Sequence, residues 1–95
     1  MDELCERIQE MRTAKGWDKT DTDAILAKSV VIEAAELLEC YQWSETDVDL
    51  DAVKSEIADV LMYTISICID HHWDYKQVVY DKFADVNRRY PDKHE

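Results

Sequence analysis

Glu33-Ala34-Ala35-Glu36 and, starting twenty residues after its last member, Glu56-Ile57-Ala58-Asp59 are acidic pairs with the same i, i+3 spacing. On a helix each pair projects from one face, one turn apart. Glu33 interrupts the apolar stripe Leu26, Val30, Leu37, Tyr41, and Asp59 is the only charge between Ile57 and Ile69. A helix that packs on a core carries aliphatic residues at such positions. A carboxylate taken out of water costs several kcal/mol unless a cation or a proton neutralises it, and four converging carboxylates repel one another. A divalent metal removes that conflict. If the register is right, the two helices face each other across an acidic groove.

Outward from this pair, the remaining segments also read as helices. Leu4, Ile8 and Met11 recur at helical intervals, giving a first helix from about Asp2 to Lys15 that stops at Gly16, the only glycine. Trp17 to Thr22 reads as a polar loop, with Asp21 and Thr22 as candidate N-caps of a second helix to about Gln42. A Ser/Thr/Asp-rich connection, Trp43 to Asp49, precedes a third helix through about His71, nearly apolar around its circumference after Ile57 and expected to be the most buried. Asp74 caps a fourth helix with the stripe Tyr75, Val79, Phe83, Val86, and Pro91 ends it. The expected fold is all-α, a four-helix up-and-down bundle over residues 1–91 with a charged tail at 92–95.

One glycine and one proline in 95 residues leave too few turn residues for a many-stranded sheet. A chain of this length has one small core, so completion by oligomerisation is expected, as a homodimer or homotetramer. A net charge of −11 argues against a nucleic-acid polymer or an anionic membrane as partner. The apolar run Ile57 to Ile69 is too short to span a bilayer and carries Asp59. With no signal-peptide pattern, the expected location is cytoplasmic. Cys5, Cys40 and Cys68 read as buried free thiols, and no Cys/His zinc spacing is present. His71-His72 fits a helix C-terminus, where imidazolium is favoured, and His94 lies in the tail.

Carboxylates without thiolate or imidazole select hard cations, Mg²⁺ first and Mn²⁺ second. Di-iron bundles place a histidine three residues after a glutamate, and none of the four acids has one. Mg²⁺ commonly completes its shell with substrate phosphates, so the cluster suggests phosphoanhydride or phosphate-ester chemistry. Lys28, Lys54, Lys82, Arg88 and Arg89 are candidate phosphate partners, or else solvated surface charges. Trp17 and Trp43 bracket the second helix, where each either stacks on a base or packs in the core.

The run Glu33-Ala-Ala-Glu36-Leu-Leu-Glu39-Cys-Tyr-Gln42-Trp43, then Glu56-Ile-Ala-Asp59-Val-Leu-Met-Tyr63, then Lys82 and Arg89-Tyr90-Pro91, resembles the MazG-type all-α nucleoside triphosphate pyrophosphohydrolases. The likeness runs from about Ile8 to Pro91 and is greatest to the small single-domain members that include the dCTP pyrophosphatases. It implies Mg²⁺-dependent hydrolysis of (d)NTP to (d)NMP and pyrophosphate, as nucleotide-pool house-cleaning, by a dimer or a dimer of dimers. It also implies that Glu33, Glu36, Glu56 and Asp59 are the catalytic metal ligands. Trp17, Trp43 and Tyr63 would border the nucleoside, and Lys82, Arg89 and Tyr90 would face the phosphates. Two positions depart from the family pattern. Val86 stands where many members have asparagine, with Asn87 next to it, and Ile32 precedes Glu33 where some members have another glutamate. A phosphoribosyl-ATP pyrophosphohydrolase-like enzyme and a non-catalytic acidic helical interaction module are the alternatives.

Overall fold

The computed structural model describes residues 1–93, so His94 and Glu95, the end of the expected tail, lie outside the described residues. The chain is all-helical: α1 Glu3–Ala14, α2 Trp17–Thr20, α3 Asp23–Glu39, α4 Leu50–Asp70 and α5 Tyr75–Arg89, with no strand among the described residues. Each long helix starts on a side-chain cap. Asp2 accepts from the Cys5 amide at 2.9 Å, Thr22 from Ile25 at 3.2 Å, Asp49 from Asp51 at 3.0 Å, and Asp74 from Lys76 at 2.9 Å. Such caps contribute about 1 kcal/mol apiece and fix where the elements begin.

The expected loop at Trp17 to Thr22 differs. Gly16 takes a left-handed φ of 75°, which ends α1, and the next four residues close a single helical turn, with the Asp21 amide donating to the Trp17 carbonyl at 2.8 Å. The second long helix stops at Glu39 instead of Gln42, because Tyr41 and Gln42 donate three residues back, to Leu38 and Glu39, and tighten the chain into turns.

At the end of α4 the Trp73 amide reaches back to the Cys68 carbonyl at 2.9 Å and the His72 amide to Ile69 at 3.1 Å. This two-bond reversal requires a left-handed residue, and His72, with φ 59°, supplies it where glycine is usual. The strain is about 1 kcal/mol. His71, stacked on Trp73 at 4.4 Å, ties this corner to the start of α3 through Asp23 at 2.5 Å.

Helix α4 is the hub. Asp23 meets His71 at one end of the α3–α4 pair and Glu33 meets Glu56 nearer the other, so the two helices run antiparallel along most of their length. Helix α1 lies on the C-terminal half of α4, where Cys5, Ile8 and Ile65 form the centre of the core with Met62, Ile69 and Tyr75 around them. The buried face of α1 is Cys5, Ile8 and Arg12, not the Leu4–Ile8–Met11 stripe expected, and Leu4 is exposed. Of the three free cysteines only Cys5 is buried; Cys40 and Cys68 are half-buried.

Arg12 explains the rotation of α1. Arg12 is 2% exposed, and its guanidinium makes a bidentate pair with Asp70, at 3.0 and 2.9 Å, and a further bond to Gln9 at 3.0 Å. A buried charge left without its partner is costly. Arg12→Ala is expected to lower the unfolding free energy by about 2–3 kcal/mol, less than for a fully buried pair because Asp70 reaches solvent. Urea denaturation checks this, and a change under 0.5 kcal/mol would mean that the pair is incidental.

Helix α5 touches the rest of the chain through its first turn. Tyr75 packs on the core and its hydroxyl donates to Asp2 at 2.9 Å, while no α5 residue is buried and α5 runs alongside neither α1 nor α3. The expected packing stripe is therefore uncovered within one chain: Val79 is 52% and Phe83 53% exposed. Val31, Ile32 and Leu38 on α3 and Ile57 and Leu61 on α4 are uncovered as well. The radius of gyration, 16.2 Å, exceeds the roughly 12 Å of a compact chain of this length.

Candidate metal and nucleotide site

The acidic groove expected between the second and third long helices is present, between α3 and α4. Glu33, Glu56 and Asp59 are half-buried and bring one carboxylate oxygen each to within 4.8 Å of one another. Glu33 Oε2 and Glu56 Oε2 are buried and have no hydrogen-bond partner in the protein. Orphaned carboxylate oxygens facing one another need a proton or a cation, and an all-oxygen donor set of this kind fits Mg²⁺ or Mn²⁺. Glu36 is more exposed and stands beside Glu33, close enough for its carboxyl to be influenced by both Glu33 and Glu56.

The electrostatics record this crowding. The Glu33 carboxyl is pushed up first by the close approach of the Glu56 carboxyl, then by desolvation and by the charges of Asp59 and Glu56. Glu36 is pushed up by the close approach of the Glu33 carboxyl and by that neighbour's charge. A folded-state pKa above the unfolded one gives stability that is full below the ordinary glutamate value of 4.5 and is lost as pH rises through the raised value. In chelator the melting temperature is therefore expected to fall between pH 5 and pH 8. Mg²⁺ should raise it more at pH 8 than at pH 5, since protons compete for the same oxygens. A melting temperature at pH 8 indifferent to millimolar Mg²⁺ and Mn²⁺ would contradict the metal reading.

Beside the acids lies a cavity of about 200 Å³ lined by Met11, Arg12, Trp17, Asp21, Leu26, Asp59, Met62, Tyr63 and Ser66. Trp17 and Tyr63 are thus brought together with Asp59 at one opening. Gly16 and the short α2 place Trp17, and Tyr63 follows Asp59 by one turn of α4. Burial raises the Tyr63 phenol first, and the charges of Glu33, Asp59 and Asp21 raise it further. A larger hollow, about 370 Å³, lies at the α4–α5 corner, but its charges Asp2 and Lys76 stand 3.1 Å apart and satisfy each other.

The other expected residues are not brought to this site within one chain. Trp43 is 91% exposed in the α3–α4 connection and lines no part of the cavity. Lys82 and Arg89 point to Asp85 at 2.8 and 3.1 Å, joined there by Arg88, and Arg89 lies over the Tyr90 ring. Lys28 and Lys54 are exposed. The cation that does line the cavity, Arg12, is committed to Asp70. Arg12 and Asp21 are the cavity residues that sequence reasoning missed. Arg12 carried a usable signal, a charge inside the Cys5–Ile8 stripe, whereas Asp21 had been read only as a cap.

Comparison with known proteins is consistent with this geometry. A family model described as the MazG-like family matches residues 28–95. The dCTP pyrophosphatase 1 of Mus musculus is 29% identical over 91 residues, an alignment covering 86% of this chain and 54% of that protein. The chain thus spans about half the length of that curated relative. The crystal structure of a pyrophosphatase from Archaeoglobus fulgidus superposes with a TM-score of 0.85 at 35% identity, over 95% of this chain and 91% of that one.

Proposed function

This chain belongs to the MazG-like family, and from that premise we propose that it is a Mg²⁺-dependent nucleoside triphosphate pyrophosphohydrolase. It converts (d)NTP to (d)NMP and pyrophosphate by attack of water on the α-phosphorus, in the service of nucleotide-pool house-cleaning. The observation that carries the reading is the convergence of Glu33, Glu56 and Asp59, with two orphaned oxygens, beside the cavity that Asp59 lines together with Trp17 and Tyr63. The activities for which the mouse and archaeal relatives are named support it.

In this reading Glu33, Glu56 and Asp59 hold Mg²⁺ or Mn²⁺, with Glu36 beside them. A divalent ion there neutralises phosphate charge and makes bound water more acidic. Trp17 and Tyr63 take the nucleoside into the cavity and exclude water from around it. One carboxylate of this cluster would receive the proton of the attacking water. The leaving pyrophosphate needs cations that a single chain does not bring to the acids. Lys82, Arg89 and Tyr90 therefore serve from a second copy, in a homodimer or a dimer of dimers. The uncovered apolar faces of α3, α4 and α5 support that assembly.

The test is the bond that breaks. Hydrolysis of dCTP in ¹⁸O-water is expected to give monophosphate carrying the label, and unlabelled pyrophosphate. A β,γ-methylene analogue is cleaved and an α,β-methylene analogue is not, because only the latter blocks the departing oxygen. Orthophosphate with a nucleoside diphosphate would overturn the mechanism. No cleavage of any nucleotide with either Mg²⁺ or Mn²⁺ would overturn the enzyme reading.

A further inference from the structure

The cavity runs along α4 from Asp59 past Tyr63 to Ser66, about 10 Å at 1.5 Å per residue. With the phosphates held at the Asp59 end, the nucleoside lies between Trp17 and Tyr63. A second carboxylate shares this space. Asp21 follows Trp17 by one turn, lines the cavity and is half-buried. It is close enough to the Tyr63 hydroxyl for its charge to be felt there. It is not one of the three acids whose oxygens converge for a metal. Among the described residues no hydrogen bond or ion pair occupies its carboxylate.

An unneutralised carboxylate in a cavity that must admit a polyanion opposes binding unless the ligand offers it a donor. The phosphate end has none. The nucleoside end has three kinds, an exocyclic amino group or a ring N–H on the base and a hydroxyl on the sugar. We propose that Asp21 is a specificity-determining residue that accepts a hydrogen bond from a donor on the nucleoside of the bound nucleotide. This rests on the nucleotide reading above and adds to it a residue that selects among nucleotides. A site built to bond a donor rejects analogues that lack it far more strongly than an apolar site does.

The experiment measures calorimetric affinity, with Mg²⁺, for uncleaved α,β-methylene analogues. One arm compares the dCTP analogue with its 4-deamino (2-pyrimidinone) counterpart, with and without the amino group, and with the dUTP analogue, which carries a ring N–H instead. The other compares dCTP with its 2′,3′-dideoxy form, with and without the hydroxyl. The parent chain is expected to prefer the donor-bearing ligand by roughly tenfold or more in one arm. Asp21→Ala should bring that ratio to within about twofold, and Asp21→Asn, which preserves shape, to an intermediate value. The arm that collapses identifies the donor. Ratios unchanged in both arms, in variants whose melting curves show a folded chain, would overturn the proposal. So would a uniform gain in affinity that extends to pyrophosphate, which marks simple charge repulsion. If the parent binds none of these analogues and cleaves no nucleotide, the nucleotide reading itself fails.

Discussion

Glu36→Gln and Asp59→Asn are each expected to lower turnover at saturating Mg²⁺ by at least about 100-fold, the upper end of what even outer-shell changes cost a metal site. Both substitutions keep volume and shape and remove one charge from a crowded group. In chelator they should leave the fold intact and raise the melting temperature, because the Asp59 charge repels Glu33 and the Glu33 charge repels Glu36. Loss of activity together with gain of metal-free stability separates a ligand role from a packing role, which would lose both. Full activity of either variant at saturating Mg²⁺ would remove that residue from the site.

Phe83→Asp is expected to break the assembly. The parent should scatter light as a dimer or tetramer of the 11.2 kDa chain. Burial of one phenylalanine side chain contributes about 1.5–3 kcal/mol. A two-fold interface contains the change twice, so the dissociation constant should rise by about 10²–10⁴. If Lys82 and Arg89 act across the interface, activity should fall with the oligomer and recover as protein concentration is raised. An active, monodisperse 11.2 kDa monomer of the parent at micromolar concentration would contradict the assembly.

The helices and their caps were legible because caps and 3.6-residue periods are local properties. Thr22, Asp49 and Asp74 start helices where their side chains can reach the next amides. Helix α2 was not legible, since four residues carry no period. Glu33, Glu56 and Asp59 were readable as charges in apolar stripes. The same logic applied to Arg12, but a long side chain usually carries its head group to water, and its partner Asp70 lies 58 residues away. The stripe on α5 was correctly seen as apolar, yet apolarity does not say which surface covers it, and within one chain none does. Lys82 and Arg89 illustrate the converse. Their i+3 and i−4 relation to Asp85 permits local pairs that a reading for phosphate partners passes over.

The left-handed histidine at the end of α4 also has a mechanical meaning. Helix α5 is a lever of 15 residues, roughly 22 Å long, with its pivot at the corner beside His72. A swing of about 10° there carries the Arg89 end through roughly 4 Å. Catalytic placement tolerates shifts nearer 1 Å. A pivot built on one strained residue sets the direction of the arm, but its stiffness must come from whatever the arm lies against. In the proposed assembly, positional accuracy at the Arg89 end would therefore be a property borrowed from the neighbouring molecule.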